Sequence, residues 1–125
     1  MAESIIKERS YSFALQIIGL YRVLAKEKEY VLSRQVLKSG TSIGANVEEA
    51  LAAQSRADII SKMSIASKEA RETLYWLRLL RESKLTDAAS VSELITEAEE
   101  IVSMLTSIVK TTSTSNHPSS PNKPI

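Results

Sequence analysis

The fold of this chain is decided by the stretch Ser39-Gly-Thr-Ser-Ile-Gly-Ala-Asn-Val-Glu-Glu-Ala50. The stretch lies where the apolar pattern predicts a helix, yet it contains Gly40 and Gly44. A glycine in a helix interior costs roughly 1 kcal/mol relative to alanine. Because residues four positions apart share one helical face, the two glycines would form a shallow groove that admits another backbone. A loop is the alternative structure for so many small polar residues.

The composition is that of one helical domain. The chain has 125 residues, of which 43% are hydrophobic and 25% are charged, enough for a single domain with a sizeable core. All three prolines lie at positions 118, 121 and 124, so residues 1–112 are almost free of helix breakers. The absence of cysteine excludes a disulfide framework and a thiolate metal site.

The same composition bears on location and partners. The first residues lack the basic and apolar segments of a signal peptide. Charges interrupt each apolar stretch well before the ~20 residues that span a bilayer. We therefore expect a cytoplasmic protein without a membrane partner. The net charge of +1 gives no general reason to expect a polyanion.

Apolar periodicity predicts four helices, at about residues 3–27, 31–54, 56–83 and from 86 or 90 to 111. Helices of this length joined by short turns predict an all-α, antiparallel up-down-up-down four-helix bundle over residues 1–112. In the first helix, Tyr11, Leu15 and Ile18 extend the apolar stripe that is formed by Ile6, Phe13, Ile17, Leu20 and Leu24. Residues 113–125 are rich in Ser, Thr, Asn and Pro, which predicts a flexible tail.

The third helix is predicted to begin after a capping box. In Ser55-Arg-Ala-Asp58, a serine N-cap is followed three positions later by an acidic residue. If the second and third helices fold back antiparallel at this turn, Gly40 faces Ala70 and Gly44 faces Ala66. Such small residues would let the two helix axes approach closely. The predicted helix-packing groove comprises Gly40, Gly44, Ala66, Ala70 and Asn46, the last expected to tie helix ends or a neighbouring subunit's backbone.

The third helix also carries a second apolar face. At 100° per residue, Ile65, Trp76 and Leu79 lie roughly opposite the core stripe, with Tyr75 beside them. An outer helix of a monomeric bundle needs only one stripe, and exposed aromatic patches usually mark interaction surfaces. We therefore predict an oligomer interface at Ile65, Tyr75, Trp76 and Leu79. Cover by the first or fourth helix is the alternative.

Catalytic groups are scarce. The sole histidine, His117, lies in the predicted tail, so the inward Glu-x-x-His pairs of a metal-binding bundle are missing. Nucleophile–base arrangements are missing as well, since the core has neither His nor Cys. Glu48, Glu49, Glu69 and Glu72 could perform acid–base chemistry only if buried, whereas helix carboxylates are usually solvated. The sequence predicts no enzyme, no cofactor and no metal.

Charges are unevenly distributed along the chain. Residues 55–84 contain seven Lys or Arg against four Asp or Glu, and residues 85–112 contain one against five. The basic side chains could contact phosphates. Pairing at i,i+4, such as Lys68 with Glu72, is the alternative. The candidate nucleic-acid contacts are Arg22, Lys26, Lys68, Arg71, Arg78 and Arg81.

Three segments resemble a family of bacterial four-helix bundle proteins. They are Leu32-Ser-Arg-Gln-Val-Leu-Lys-Ser-Gly-Thr-Ser-Ile-Gly-Ala-Asn-Val-Glu-Glu-Ala50, Ala53-Gln-Ser-Arg-Ala-Asp58 and Lys68-Glu-Ala-Arg-Glu-Thr-Leu-Tyr-Trp-Leu-Arg-Leu-Leu80. The family includes proteins encoded by intervening sequences within 23S rRNA genes. It is related to the accessory variability determinant of diversity-generating retroelements. The resemblance covers about residues 5–111.

The resemblance implies an antiparallel four-helix bundle that assembles as a homopentamer, in agreement with the two-faced third helix. The retroelement relatives are strongly basic and bind nucleic acid and a reverse transcriptase through that charge, whereas this chain is near neutral. We expect a non-enzymatic, self-associating bundle that acts as an interaction or scaffold protein for partner proteins. The alternative is an RNA- or DNA-binding accessory protein.

Overall fold

Four α-helices make up most of the chain. The structure is a computed structural model that describes residues 2–114, except for the side chains of residues 2–4 and 88. The helices are α1 (Ala2–Lys26), α2 (Val31–Leu51), α3 (Arg56–Ser83) and α4 (Ala88–Thr114). Within the described range the remaining residues form only short turns.

The four helices stand at the corners of a square. Each helix packs against the next one in the chain, and α4 returns to pack against α1. The diagonal pairs, α1 with α3 and α2 with α4, make no backbone contact in the part of the chain described. Short connections make successive helices antiparallel, so the predicted all-α up-down-up-down bundle is confirmed.

The core contains the α1 stripe that periodicity predicts, together with apolar residues of the other three helices. The largest fully buried side chains are Ile6, Phe13, Ile17 and Leu24 on α1, Val36, Ile43 and Val47 on α2, Met63, Leu77 and Leu80 on α3, and Ile101 and Leu105 on α4. Five large apolar residues of α1 lie outside it: Ile5 is 51% exposed, Tyr11 62%, Leu15 55%, Ile18 40% and Val23 48%. The broad apolar surface of α1 is therefore divided between the core and the exterior.

The turn before α3 is formed as the sequence predicts. The Asp58 backbone N–H donates to Ser55 Oγ across 3.1 Å, and Ser55 has the extended backbone of an N-cap. α2 ends at Leu51, three residues before the predicted end at Gln54. The earlier end follows from the cap, because residues 52–54 must reverse the chain before Ser55 can take that conformation.

α4 differs slightly from its predicted range. It begins at Ala88, between the two alternative predicted starts at residues 86 and 90. It ends at Thr114, two residues beyond the predicted end of the bundle. The rest of the predicted flexible tail, residues 115–125, lies outside the described residues.

The glycine groove is helical and buried, but it receives α1. A Cβ atom added at Gly40 would lie 2.9 Å from both Cγ atoms of Ile17. One added at Gly44 would lie 3.4 Å from the carbonyl oxygen and from the hydroxyl of Ser10. Ile17 and Ser10 belong to α1 and are fully buried. The missing side chains of α2 therefore allow α1 to approach closely.

α3 packs against the side of α2 that carries Ser39. Thr73 Oγ1 lies 2.8 Å from Ser39 Oγ, and both residues are buried. The prediction that Gly40 faces Ala70 and Gly44 faces Ala66 is corrected: both alanines are fully buried, but the atoms nearest the glycine positions belong to α1. A helix in a square bundle has two neighbours, and small residues on α3 do not identify which neighbour the glycines face.

We expect the two groove glycines to respond oppositely to alanine. In Gly40→Ala the new methyl group displaces the buried Ile17, and overpacking of this kind costs about 1–3 kcal/mol, which outweighs the gain of about 1 kcal/mol in helix propensity. In Gly44→Ala the methyl group makes an ordinary contact with Ser10. The variant therefore gains the better helix propensity of alanine, about 1 kcal/mol, without an opposing packing cost. Urea unfolding should show a less stable first variant and an unchanged or more stable second. Gly19→Ala is the control, because no atom lies within 4 Å of the added Cβ. Equal stability of the first two variants would contradict the assigned contact.

A second prediction concerns buried serines. Ser33 Oγ is buried and has no hydrogen-bond partner among the described residues, whereas Ser39 Oγ donates to the Gln35 carbonyl oxygen across 3.0 Å. An unsatisfied buried polar group costs about 1–3 kcal/mol. Ser33→Ala should therefore raise the unfolding free energy, and Ser39→Ala, which leaves Thr73 without its buried neighbour, should lower it. Thermal melts of the two variants measure the difference, and a loss of stability in Ser33→Ala would refute this reading.

Candidate functional site

An exposed apolar surface runs along α1 beside α2. Tyr11, Leu15 and Ile18 are spaced by four and three residues, which places them on one side of the helix. Together with Thr41 and Ala45 of α2 they line a groove between the two helices. We call these five residues the α1–α2 surface. The sequence prediction missed it because the three α1 residues extend the core stripe, although their i, i+4, i+7 spacing already separates them from it.

The predicted oligomer interface on α3 is partly exposed. Ile65 is 36% exposed and Tyr75 53%, while Trp76 and Leu79 are partly buried. Trp76 packs against the core, and its Nε1 donates to Glu72 Oε2 across 3.2 Å. The Tyr75 and Trp76 rings make an edge contact, with centroids 5.2 Å apart. We call Ile65, Tyr75, Trp76 and Leu79 the α3 patch; neither α1 nor α4 covers Ile65 and Tyr75.

The polar side chains around the groove glycines donate their hydrogen bonds within their own helix. Asn46 Nδ2 donates to the Ser42 carbonyl oxygen across 2.8 Å, so this bond ties α2 to itself. The neighbouring hydroxyl groups bond to carbonyl oxygens four residues earlier: Ser39 to Gln35, Thr41 to Leu37 and Ser42 to Lys38. These groups are satisfied inside the bundle, which favours a structural role over ligand binding.

The carboxylates considered for acid–base chemistry lie at or near the surface. None of Glu48, Glu49, Glu69 and Glu72 is buried. Lys62 Nζ forms an ion pair with Glu49 Oε1 at 2.8 Å. The hydrogen bond that Lys62 donates in this pair is the main reason that its pKa is raised. Solvated and paired carboxylates lack the burial that prepares such a group for acid–base catalysis.

Arg9 joins α1 to α4. Its Nε donates to Glu97 Oε2 across 3.0 Å and its Nη2 to Glu97 Oε1 across 2.7 Å, a two-pronged ion pair. Glu100 also accepts from Nη2. These hydrogen bonds, Glu97 first, raise the pKa of Arg9. The sequence prediction missed this contact because the residues are 88 positions apart.

The predicted nucleic-acid contacts fall into two groups. Arg22 and Lys26 lie on α1, and the other four lie on α3 at the diagonally opposite corner. Arg71 Nη2 donates to Thr106 Oγ1 across 3.0 Å, and Arg81 pairs with the adjacent glutamate at 3.1 Å. The tertiary structure therefore does not join the six side chains into one continuous basic strip.

The described residues show neither a metal-ion cluster nor a membrane span. Over this part of the chain, no three His, Cys, Asp or Glu side chains are grouped so that they could hold a metal ion. None of the helices, as far as they are described, is both long and apolar enough to cross a membrane.

The fold and its exposed apolar surfaces place the chain among the antiparallel four-helix bundle proteins. The sequence profile of the 23S rRNA-intervening sequence proteins matches residues 2–107, and the chain belongs to that family. The predicted family resemblance is thus confirmed.

A solved structure supports the assignment. The chain is similar to the crystal structure of a protein of unknown function from the S23 ribosomal protein family of Bacteroides thetaiotaomicron VPI-5482. The TM-score is 0.85 and the sequences are 46% identical, over 88% of this chain and 99% of that chain. A comparison with curated proteins found no match.

Proposed function

We propose that this protein is a non-enzymatic, cytoplasmic bundle that self-associates and acts as an interaction or scaffold protein. The supporting observation is the exposed apolar area on two separate parts of the bundle, the α1–α2 surface and the α3 patch. Tyr11, Leu15 and Tyr75 are each more than half exposed. Exposed apolar patches on soluble proteins usually mark binding surfaces, because their burial removes apolar area from water.

The position of the two surfaces favours a head-to-tail assembly. The α1–α2 surface lies on α1 and α2, whereas the α3 patch lies on α3. The two surfaces contain different side chains. When two different surfaces of the same chain bind each other, copies associate heterologously, and the assembly closes into a ring if the rotation per subunit allows it. A homopentamer, which the family resemblance implies, is one such ring.

Light scattering on the purified protein tests the proposal. The expected molar mass is a multiple of 13.8 kDa, five times this value for a pentamer. Leu15→Glu and Tyr75→Glu each place a charge on an exposed position of one surface, so each should shift the protein to a smaller species with unchanged helical circular dichroism. Val31→Glu is the matched control, since Val31 is 70% exposed and lies at the start of α2, outside both surfaces. A wild-type monomer at micromolar concentration would overturn self-association.

Binding of single-stranded RNA is a second candidate function. Lys68, Tyr75 and Arg78 are exposed and lie within about 80° of the α3 circumference. An exposed aromatic ring between cations is typical of surfaces that stack bases and contact phosphates. The name of the family, which refers to 23S rRNA intervening sequences, points in the same direction.

Filter binding of unstructured RNA over a series of salt concentrations tests this candidate. We expect Tyr75→Ala to weaken binding at all salt concentrations, and Lys68→Gln with Arg78→Gln to reduce the salt dependence by about two phosphate contacts. Lys7→Gln, an exposed cation on α1, should leave binding unchanged. The absence of RNA retention even at low salt would eliminate this function.

A further inference from the structure

A second groove lies between the C-terminal half of α1 and the beginning of α4. α1 and α4 are the least closely packed pair of neighbouring helices. Arg9 holds them together near the start of α1, and the groove opens beyond that contact, from Gln16 to Glu27. At 1.5 Å per residue, this part of α1 is about 17 Å long, or three helical turns. We call it the α1–α4 groove.

The floor of the α1–α4 groove is apolar. Leu20 and Leu94 form its base, with 7% and 5% of their surface exposed, and Val23 beside them is 48% exposed. A peptide laid along this floor would cover the exposed part of Val23. The residues that line the α1–α4 groove belong neither to the α1–α2 surface nor to the α3 patch, the two surfaces proposed for self-association.

Gly19 leaves additional space in this groove. A Cβ atom added at Gly19 would meet no atom of the described residues within 4 Å. A mid-helix glycine costs roughly 1 kcal/mol relative to alanine. At Gly40 the close approach of Ile17 accounts for the glycine, but no neighbour among residues 2–114 accounts for Gly19. The space beside Gly19 is therefore open to a side chain from another molecule.

The rim of the groove is acidic. Glu27, Asp87 and Glu93 line it, and no Lys or Arg is among its lining residues. Among the described residues none of the three carboxylates has an ion-pair partner, whereas Glu97 and Glu100 on the same α4 are paired with Arg9. Carboxylates that form no ion pair with another described residue therefore line the rim of an apolar floor.

We propose that the α1–α4 groove binds a basic amphipathic helix of a partner protein. Apolar side chains at i, i+3 or i+4, and i+7 would lie on Leu20, Val23 and Leu94, with one of them opposite Gly19. Lysine or arginine side chains on both flanks would pair with the rim carboxylates, which supplies the charge complementarity of a specific interface. Carboxylates on the rim disfavour phosphate groups, so this charge favours a protein segment over nucleic acid as the ligand of the groove.

The test uses the full chain and a labelled peptide of about 18 residues, five helical turns, composed of leucine and lysine in amphipathic order. Fluorescence anisotropy measures its affinity, and hydrogen exchange locates the contact. We expect slower exchange in residues 16–27 and 86–94. A peptide with glutamate in place of lysine should bind at least about tenfold more weakly, a difference of about 1.4 kcal/mol.

Three variants define the site. Gly19→Leu fills the free space, and the double variant Asp87→Lys, Glu93→Lys reverses the rim charge; each should weaken the lysine peptide by about tenfold or more. Glu99→Lys changes an exposed carboxylate on α4 outside the groove lining and should alter the affinity by less than about twofold. Circular dichroism checks that each variant folds.

Equal affinity of the wild type and the groove variants would overturn the proposal, as would equal binding of the glutamate peptide. A changed molar mass in Gly19→Leu would assign the groove to a second copy of this chain, which also overturns it. Tyr75→Glu separates the two proposals, because it should dissociate the assembly and leave peptide binding intact. If the self-association proposal fails, the proposal that the α1–α4 groove binds a basic helix does not fail with it.

Discussion

The close contact between α1 and the glycines of α2 is the constraint on which the rest of the structure depends. With no side chain at Gly40, the branched side chain of Ile17 lies directly against the α2 backbone. This contact fixes the rotation of α1 and places its core stripe inward. The same rotation directs Tyr11 and Leu15 outward beside α2. One contact thus determines both the packing of α1 and the exposed α1–α2 surface.

Polar contacts between the helices stabilise this arrangement without introducing reactive groups. The buried hydroxyl groups of Ser39 and Thr73 lie together between α2 and α3. Lys62 joins α3 to α2 through Glu49, and Arg9 joins α1 to α4. All of these groups are bonded to one another or near solvent. The chemistry available for function is consequently at the surface, in apolar patches and charge, which favours binding over catalysis.

The candidate surfaces were only partly predictable. The sequence pattern identified the α3 patch, because Ile65 and Tyr75 lie opposite a complete core stripe. It did not identify the α1–α2 surface, since its α1 residues continue the pattern of the core. The α1–α4 groove was missed as well: Gly19 is an isolated glycine, and the carboxylates around it come from distant parts of the chain.

Periodicity and local signals determined the number of helices, the core stripe of α1 and the Ser55 cap, because these depend on residues a few positions apart. The family assignment likewise followed from short segments of sequence. Only the tertiary structure decided that Gly40 faces Ile17 and not Ala70, and that the basic residues of α1 and α3 lie apart. The reason is geometric. A helix in a square bundle has two neighbours and two outer faces, and its own sequence does not state which neighbour occupies which face.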